Sequence, residues 1–175
     1  MSLRHALLAL VDLEPGTGYD LMNRIEKSIG FFWPATHQQV YKELHQLQEL
    51  GWVDVRVENQ SGKPDRRVYT LREAGIHELK SWLTHDSSAA KIRDPFLLRV
   101  FAAHRMEPET LRQQLNHQKN LHTATLSLYQ SIDERLDSAP EYVQERYRFA
   151  RHTLRLGIYF EQAWLRWCEE LGELA

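Results

Sequence analysis

The chain has 175 residues and a formal net charge of −2, with 42% apolar and 26% charged residues. This composition is ordinary for a globular protein, and the length suits one domain of good size or two small ones. No apolar run approaches the roughly 20 residues that a membrane-spanning helix needs, which argues against a membrane protein. A single cysteine, Cys168, excludes an intramolecular disulfide framework. Because the first residues show no signal-peptide pattern either, we expect a cytoplasmic protein.

The first 85 residues show a regular order of helix and strand patterns. Apolar residues at helical spacing predict three helices, and a capping box formed by Thr36 and Gln39 opens the third. Strict alternation then predicts two strands joined by a turn-rich segment, and a fourth helix follows. In chain order the predicted elements are helices 3–13, 19–29 and 36–50, strands 52–58 and 66–71, and helix 72–83.

The remaining residues predict a second, helical domain. Residues 86–94 have the composition of a linker, and Asp94-Pro95 then begins a short helix with an N-cap residue and a proline at its first position. Since residues 96–103 are apolar nearly all round, we expect that helix to be buried. Two long helices, about 108–137 and 140–172, follow with apolar residues near heptad spacing.

The last helix carries two apolar stripes, whereas the preceding helix offers a partner for only one of them. A large apolar surface left in water usually marks an interface with another protein. We therefore expect residues 95–175 to form a coiled-coil-like homodimerisation domain. The predicted dimer contacts are Phe149, Leu156, Phe160, Trp164 and Trp167.

Three helices followed by a two-stranded hairpin is the order of a winged helix-turn-helix domain, here residues 1–85. In such domains the third helix enters the major groove of double-stranded DNA. Amide and basic side chains on its outer face are able to bind base edges and phosphates. The net charge gives no support of its own, so any DNA binding depends on a local basic patch. The candidates on the helix are His37, Gln38, Gln39, Lys42 and His45, and those near the hairpin tip are Lys63, Arg66 and Arg67.

Several of these segments also resemble one family. The sequence is similar to the PadR family of transcriptional regulators, and its C-terminal part resembles the subgroup of the virulence activator AphA. The segments that carry the resemblance are Leu7-Leu8-Ala9-Leu10, Gly18-Tyr19-Asp20-Leu21, Gly30-Phe31-Phe32-Trp33-Pro34, Val40-Tyr41-Lys42-Glu43-Leu44, Gly51-Trp52-Val53, Pro64-Asp65-Arg66-Arg67-Val68-Tyr69-Thr70-Leu71 and Asp94-Pro95-Phe96-Leu97-Leu98-Arg99-Val100-Phe101.

The resemblance implies a winged-helix dimer whose C-terminal helices intertwine. It also implies phosphate contacts by Tyr19 and Tyr41, and base or backbone contacts near Thr36–Gln39. Some relatives respond to small aromatic molecules, which makes such an effector an expectation here. The tryptophans Trp33, Trp82, Trp164 and Trp167 could stack on such a ligand, although core and interface packing is the favoured interpretation of these side chains.

Two other functions compete with DNA binding. The nine histidines suggest an enzyme or a metal site, but none forms an i, i+4 pair or lies in a Cys/His ligand spacing. No phosphate-binding glycine loop or nucleophile elbow is present in the sequence, so we expect no catalytic residue, metal or cofactor. The second alternative is a winged-helix adaptor that binds proteins and not DNA. The basic hairpin tip argues against it.

Overall fold

The protein is described by a computed structural model that covers residues 2–30, 32–58, 65–89 and 91–174. The chain forms two compact units, residues 1–86 and 87–175. Of the helices in the described ranges, none is long and apolar enough to cross a membrane.

The N-terminal unit combines four helices with a small sheet. Its elements, in chain order, are α1 (Ser2–Leu13), β1 (Gly16–Thr17), α2 (Gly18–Lys27), α3 (His37–Glu49), β2 (Val53–Glu58), β3 (Arg66–Leu71) and α4 (Glu73–Leu83). The helices and the two longer strands agree with the predicted elements to within about two residues at their ends, which is the usual uncertainty of helix boundaries.

The sheet has three strands and corrects the predicted two-stranded hairpin. Its order is β1-β3-β2, and both pairings are antiparallel. Gly16 lies opposite Tyr69 and Thr17 opposite Val68, so β1 covers the edge of β3 that a simple hairpin would leave open. Two residues are too few to show an alternating pattern, and the pairing joins segments about fifty residues apart in the chain.

Local sequence explains where α3 begins and ends. The Thr36 hydroxyl accepts a hydrogen bond from the Gln39 backbone N–H, and the Gln39 side-chain oxygen accepts one from the Thr36 backbone N–H. This capping box, which was predicted, satisfies free donors of the first turn. At the other end Gly51 has a φ of 69°, a left-handed conformation that glycine adopts without a steric penalty.

One apolar core closes the N-terminal unit. The buried stripe of α3 packs with side chains of the other helices and the sheet, and most members of the core are fully buried. The buried core residues are Leu7, Leu8, Leu10, Val11, Leu21, Met22, Ile25, Val40, Leu44, Leu47, Val53, Tyr69 and Leu79. Since α3 is fixed on its inner side, its outer side is presented to solvent in a defined orientation.

The C-terminal unit is entirely helical within its described residues. It consists of α5 (Pro95–Phe101), a turn of 3-10 helix (Ala103–Arg105), α6 (Pro108–Asp137) and α7 (Glu141–Gly172). Helices α6 and α7 pack along each other, and a small cluster of Phe96, Leu111, Leu115 and Cys168 is buried at one end.

Helix α5 contradicts the prediction that residues 96–103 are buried. The Asp94 side chain caps it as expected, accepting a hydrogen bond from the Phe96 N–H at 2.7 Å. Only Phe96 is buried, however, whereas Leu98 and Phe101 are 70% and 86% exposed. The prediction of burial was therefore wrong for most of this helix, because the described part of the C-terminal unit places no side chain over its apolar outer side.

Polar side chains connect α6 and α7 at two positions along the helix pair. The Arg151 guanidinium donates to Asp133 at 2.5 and 3.1 Å and to Asp137 at 2.7 Å. These hydrogen bonds raise the pKa of Arg151 and hold the pKa of Asp133 below its usual value. Further along, His122 Nδ1 lies 2.5 Å from the buried Glu161 carboxylate. A buried carboxylate is tolerated because this partner satisfies it.

Candidate nucleic-acid interface

The outer face of α3 carries five of the eleven predicted DNA-binding side chains. Buried Val40, Leu44 and Leu47 fix the helix on the core, and the side chains between them point away. The outward side chains, all exposed, are His37, Gln38, Tyr41, Lys42 and His45. Of these, His45 is 3.5 Å from Glu49, one turn further along the helix. The exposed side chains that can donate hydrogen bonds to DNA therefore lie mainly in the N-terminal half of α3.

Gln38 and Gln39 are adjacent in sequence, but their side-chain amides differ in how many hydrogen-bonding atoms remain available to DNA. The Gln39 oxygen accepts from the Thr36 backbone N–H at 2.9 Å and lies 3.2 Å from the Thr36 hydroxyl. Bidentate recognition of adenine needs both the oxygen and the nitrogen of the amide. Gln39 therefore offers only its nitrogen while the capping box is formed, whereas Gln38 is exposed and has no such commitment.

The first turn of α2 lies beside α3 through an unusually close contact. A Cβ atom on Gly18 would lie 2.5 Å from Cε1 of Tyr41, so only glycine allows this ring to rest on the start of α2. Tyr19, the next residue, is exposed. The two tyrosines predicted to bind phosphate thus lie on neighbouring elements of one surface.

The start of α2 also holds one arginine of the sheet. Thr17 and Asp20 form a second capping box, and the hydrogen bond from the Thr17 backbone N–H is the main reason that the pKa of Asp20 is lowered. Arg66, on β3, places its guanidinium 3.4 Å from the same carboxylate and lowers this pKa further. The ionised Asp20 side chain therefore orients Arg66 toward the helix-turn-helix.

The second arginine of β3 is held in a similar way by α3. Arg67 donates to the side-chain oxygen of Gln48 at 3.4 Å. Both arginines are exposed, so their guanidinium groups keep donors for another partner. The remaining predicted cation of this region, Lys63, lies outside the described residues.

Three residues of this surface were missed by the sequence analysis. Asp20 and Gln48 position the two arginines, and Gly18 makes room for Tyr41. The pattern Thr17-x-x-Asp20 was a detectable capping signal. The contacts to the arginines were not detectable, because they join residues 46 and 19 positions apart in the chain.

A second candidate surface lies on α7. Phe149, Leu156 and Phe160 lie on one side of this helix and are 71%, 63% and 44% exposed. Trp164 and Trp167 behave differently, because they pack on the small cluster around Phe96 inside the C-terminal unit. The exposed apolar stripe of α7 therefore consists mainly of Phe149, Leu156 and Phe160, whereas Trp164 and Trp167 are largely used in packing within the unit.

Metal-ligating and nucleophilic side chains were also examined for clustering and burial. No group of three or more His, Cys, Asp or Glu side chains there could hold a metal ion. Cys168 is fully buried, and burial raises the pKa of its thiol, which makes it a poor nucleophile.

Helices α1 to α3, with the sheet β1-β3-β2 beside α3, define a winged helix-turn-helix protein with a helical C-terminal unit. Residues 7–81 match the PadR-like family of transcriptional regulators, and residues 92–174 match the C-terminal domain of virulence activator alpha. The chain belongs to the PadR family of transcriptional regulators, in the subgroup that resembles AphA.

Individual relatives match over nearly the whole chain. The virulence activator AphA of Vibrio cholerae has 31% identity and a TM-score of 0.75, with 98% of this chain and 96% of that one covered. PadR of Bacillus subtilis, in a crystal structure with operator DNA, has 26% identity and a TM-score of 0.81, with 99% of both chains covered. The same protein with p-coumaric acid has 25% identity and a TM-score of 0.76, over 98% and 94%. A probable transcriptional regulator of Mycobacterium tuberculosis is 28% identical, over 99% of this chain and 97% of its own.

Proposed function

We propose that this protein is a sequence-specific DNA-binding regulator that acts as a homodimer, with α3 in the major groove and the arginines of β3 on flanking phosphates. The observation that carries the proposal is the pair of contacts that join the sheet to the helices. Arg66 on Asp20 places one cation at the start of α2, and Arg67 on Gln48 places a second beside α3. A duplex lying on α3 would meet both cations at once.

The side chains of α3 and α2 divide into base and phosphate contacts in this proposal. Gln38 is the candidate for bidentate recognition of adenine, and Lys42 reaches guanine or phosphate. Tyr19 and Tyr41 donate their hydroxyls to phosphates, as expected from the family resemblance. Thr36 and Gln39 act mainly by fixing the N-terminus of α3, where free backbone N–H groups favour a phosphate.

The dimer is proposed from the exposed apolar stripe of α7 together with the uncovered side of α5. Two copies would bury Phe149, Leu156 and Phe160, as well as Leu98 and Phe101, which water otherwise surrounds. A two-fold dimer would also present two copies of α3 to a palindromic operator, as in other helix-turn-helix proteins. The relative seen with operator DNA, PadR of Bacillus subtilis, covers nearly all of this chain.

The proposal places the protein in the cytoplasm and assigns it no catalytic activity. A response to a small aromatic effector is part of it, because PadR of Bacillus subtilis crystallised with p-coumaric acid. Binding of such a ligand would regulate attachment to DNA.

A salt titration of duplex binding tests the role of the sheet arginines. Arg66→Ala with Arg67→Ala should weaken binding to all sequences and flatten the dependence of the affinity on salt, because each phosphate contact releases counterions. Fluorescence anisotropy with a labelled duplex measures both effects. A matched control removes two exposed arginines of α6, Arg112→Ala with Arg135→Ala, and should leave the slope unchanged.

Equal affinities of the Arg66/Arg67 variant and the wild-type protein at every salt concentration would refute the role of the sheet. Gln38→Ala should by contrast change which bases are preferred, with a loss of about 1–3 kcal/mol of discrimination at one position. Gln39→Ala should weaken binding to all sequences alike, since it loosens the start of α3 and removes no base contact. A wild-type protein that binds no duplex even at low salt would favour the adaptor that binds proteins and not DNA.

A further inference from the structure

The surface proposed to face DNA contains a carboxylate. Asp20 lies on the first turn of α2, directly after the exposed Tyr19, and its own side chain is 34% exposed. Because DNA carries closely spaced phosphate charges, a carboxylate at this place should by itself repel a duplex. The contacts that the carboxylate makes within the protein, however, indicate the opposite effect.

The Asp20 carboxylate is fixed by its own helix. Its Oδ2 atom accepts hydrogen bonds from the Thr17 backbone N–H at 2.9 Å and from the Thr17 hydroxyl at 2.7 Å. The same hydroxyl accepts a hydrogen bond from the Asp20 backbone N–H, which closes the capping box. Since three hydrogen bonds join the two residues, the carboxylate cannot move to follow a partner. Arg24, another cation nearby, is engaged by the backbone oxygen and the carboxylate of Glu14, so the partner is Arg66 of β3.

Arg66 uses only part of its hydrogen-bonding capacity on this carboxylate. Its Nη2 atom lies 3.4 Å from Asp20 Oδ2, and its side chain is 46% exposed. A guanidinium has five N–H donors, so the donors that Asp20 does not use remain for a phosphate. An exposed ion pair of this kind contributes little to stability. It can contribute to DNA binding, because an arginine that is already ordered loses less conformational freedom when it binds.

We propose that Asp20 is a positioning residue for DNA binding, which holds Arg66 where its guanidinium meets a phosphate. This inference rests on the proposed function. It reverses the effect that charge alone predicts, since an anion would then strengthen the binding of a polyanion. It also makes the sign of the effect depend on Arg66. When Arg66 is present, removal of the Asp20 charge should weaken DNA binding, and when Arg66 is absent, the same change should strengthen it because only repulsion remains.

A double-mutant cycle in DNA affinity tests this dependence, with the wild-type protein, Asp20→Asn, Arg66→Ala and both changes together. Asparagine keeps a side-chain oxygen for the Thr17 N–H, so the charge is removed while the cap is retained. Anisotropy with a labelled duplex of mixed sequence gives the affinity at several salt concentrations. Asp20→Asn alone should weaken binding about two- to tenfold and lower the number of released counterions by up to about one. Added to Arg66→Ala, it should strengthen binding by up to about threefold.

Three further variants separate the charge of Asp20 from its role in the cap. Asp20→Glu and Asp20→Gln both supply a residue that completes a capping box, and they differ from each other in charge. Asp20→Glu should retain the wild-type affinity, whereas Asp20→Gln should behave as Asp20→Asn does and replaces it should that variant fold poorly. Glu109→Gln, which removes a carboxylate from an exposed ion pair with Arg112 on α6, should leave the affinity unchanged.

Stronger binding by Asp20→Asn in both backgrounds would show that the carboxylate only repels DNA. Equal weakening in both backgrounds would show that it acts on the fold and not through Arg66. Either result, or an unchanged affinity when Arg66 is present, would overturn this inference and leave the proposed function standing. A wild-type protein that binds no duplex even at low salt would refute the proposed function, and this inference with it.

Discussion

The two units of this chain bury their apolar side chains to very different extents. Among the described residues, thirteen buried apolar side chains form one core cluster in the N-terminal unit, whereas the C-terminal unit, of similar length, buries seven, of which four form a cluster. Large apolar side chains of α5 and α7 remain exposed there, with Phe101 at 86% and Phe149 at 71%. The difference indicates that the first unit is complete as one chain, while the second needs another surface. The proposed function accordingly assigns DNA recognition to the first unit and pairing of copies to the second.

The largest expected effect follows from charging the exposed stripe of α7. Phe149→Glu with Leu156→Glu should turn the dimer into a monomer, because two carboxylates would have to be buried without partners. Light scattering measures the mass. Affinity for a two-site operator should fall about hundredfold or more, since the second half-site no longer benefits from a tethered copy.

Gln162→Glu is the matched control for this variant, because it adds a charge at an exposed position on another side of α7. It should remain a dimer. If Phe149→Glu with Leu156→Glu remains a dimer and binds the operator as tightly as the wild-type protein, the exposed apolar side chains of α7 do not form the dimer interface. The difference in burial between the two units would then not reflect dimerisation.

A smaller effect is expected from the core of the N-terminal unit. Leu44→Ala removes a fully buried side chain and should lower the free energy of unfolding by about 2–5 kcal/mol, because it leaves a cavity in a closed core. Leu83→Ala, at an exposed position of α4, should change it by less than about 0.5 kcal/mol. Urea denaturation followed by circular dichroism measures both. Similar losses for the two variants would mean that the core is not closed as described.

The smallest expected effect is on the pH dependence of stability, through the Asp133–Arg151 ion pair of the C-terminal unit. The lowered pKa of Asp133 means that its ion pair with Arg151 stabilises the folded state fully above the unfolded pKa of about 3.9. This stabilisation is lost as the pH falls through the pKa of Asp133 in the folded protein, which is lower than the unfolded pKa. Asp133→Asn should therefore reduce stability at neutral pH by about 1–2 kcal/mol and by less at pH 3, because the unfolded carboxylate is then largely protonated. Urea titrations at both pH values test this, and a deficit of the same size in acid would point to lost packing.

Regular elements were predictable from the sequence because their signals are local. The stripe of Val40, Leu44 and Leu47 predicted a helix and the alternation of residues 52–58 predicted a strand, and the structure confirms both elements. Burial in β2 does not follow the alternation to its end, since Val57 is 54% exposed. Strand β1 was missed because its two residues are defined only by their pairing with β3. Long-range hydrogen bonding of this kind leaves no periodic pattern.

The sequence predicted which residues the candidate site contains, but not what each side chain does there. Gln39 was expected to serve both as a cap and as a contact for bases, and the geometry shows that its oxygen is occupied by the first task. The burial predicted for α5 was wrong, because an apolar composition does not say whether another element packs on the helix, and Leu98 and Phe101 are exposed. Asp20 and Gln48 became visible only when the fold brought them to Arg66 and Arg67.

Selection of bound duplexes from a random pool tests the central claim most directly. The full-length protein should enrich a palindrome whose half-sites are centred one helical turn of DNA apart or a multiple of it, because two copies of α3 related by a two-fold axis would read it. The variant with Arg66 and Arg67 replaced should enrich the same sequence less strongly. A pool without enrichment, or one that yields only a single asymmetric site, would contradict a dimeric, sequence-specific DNA-binding protein.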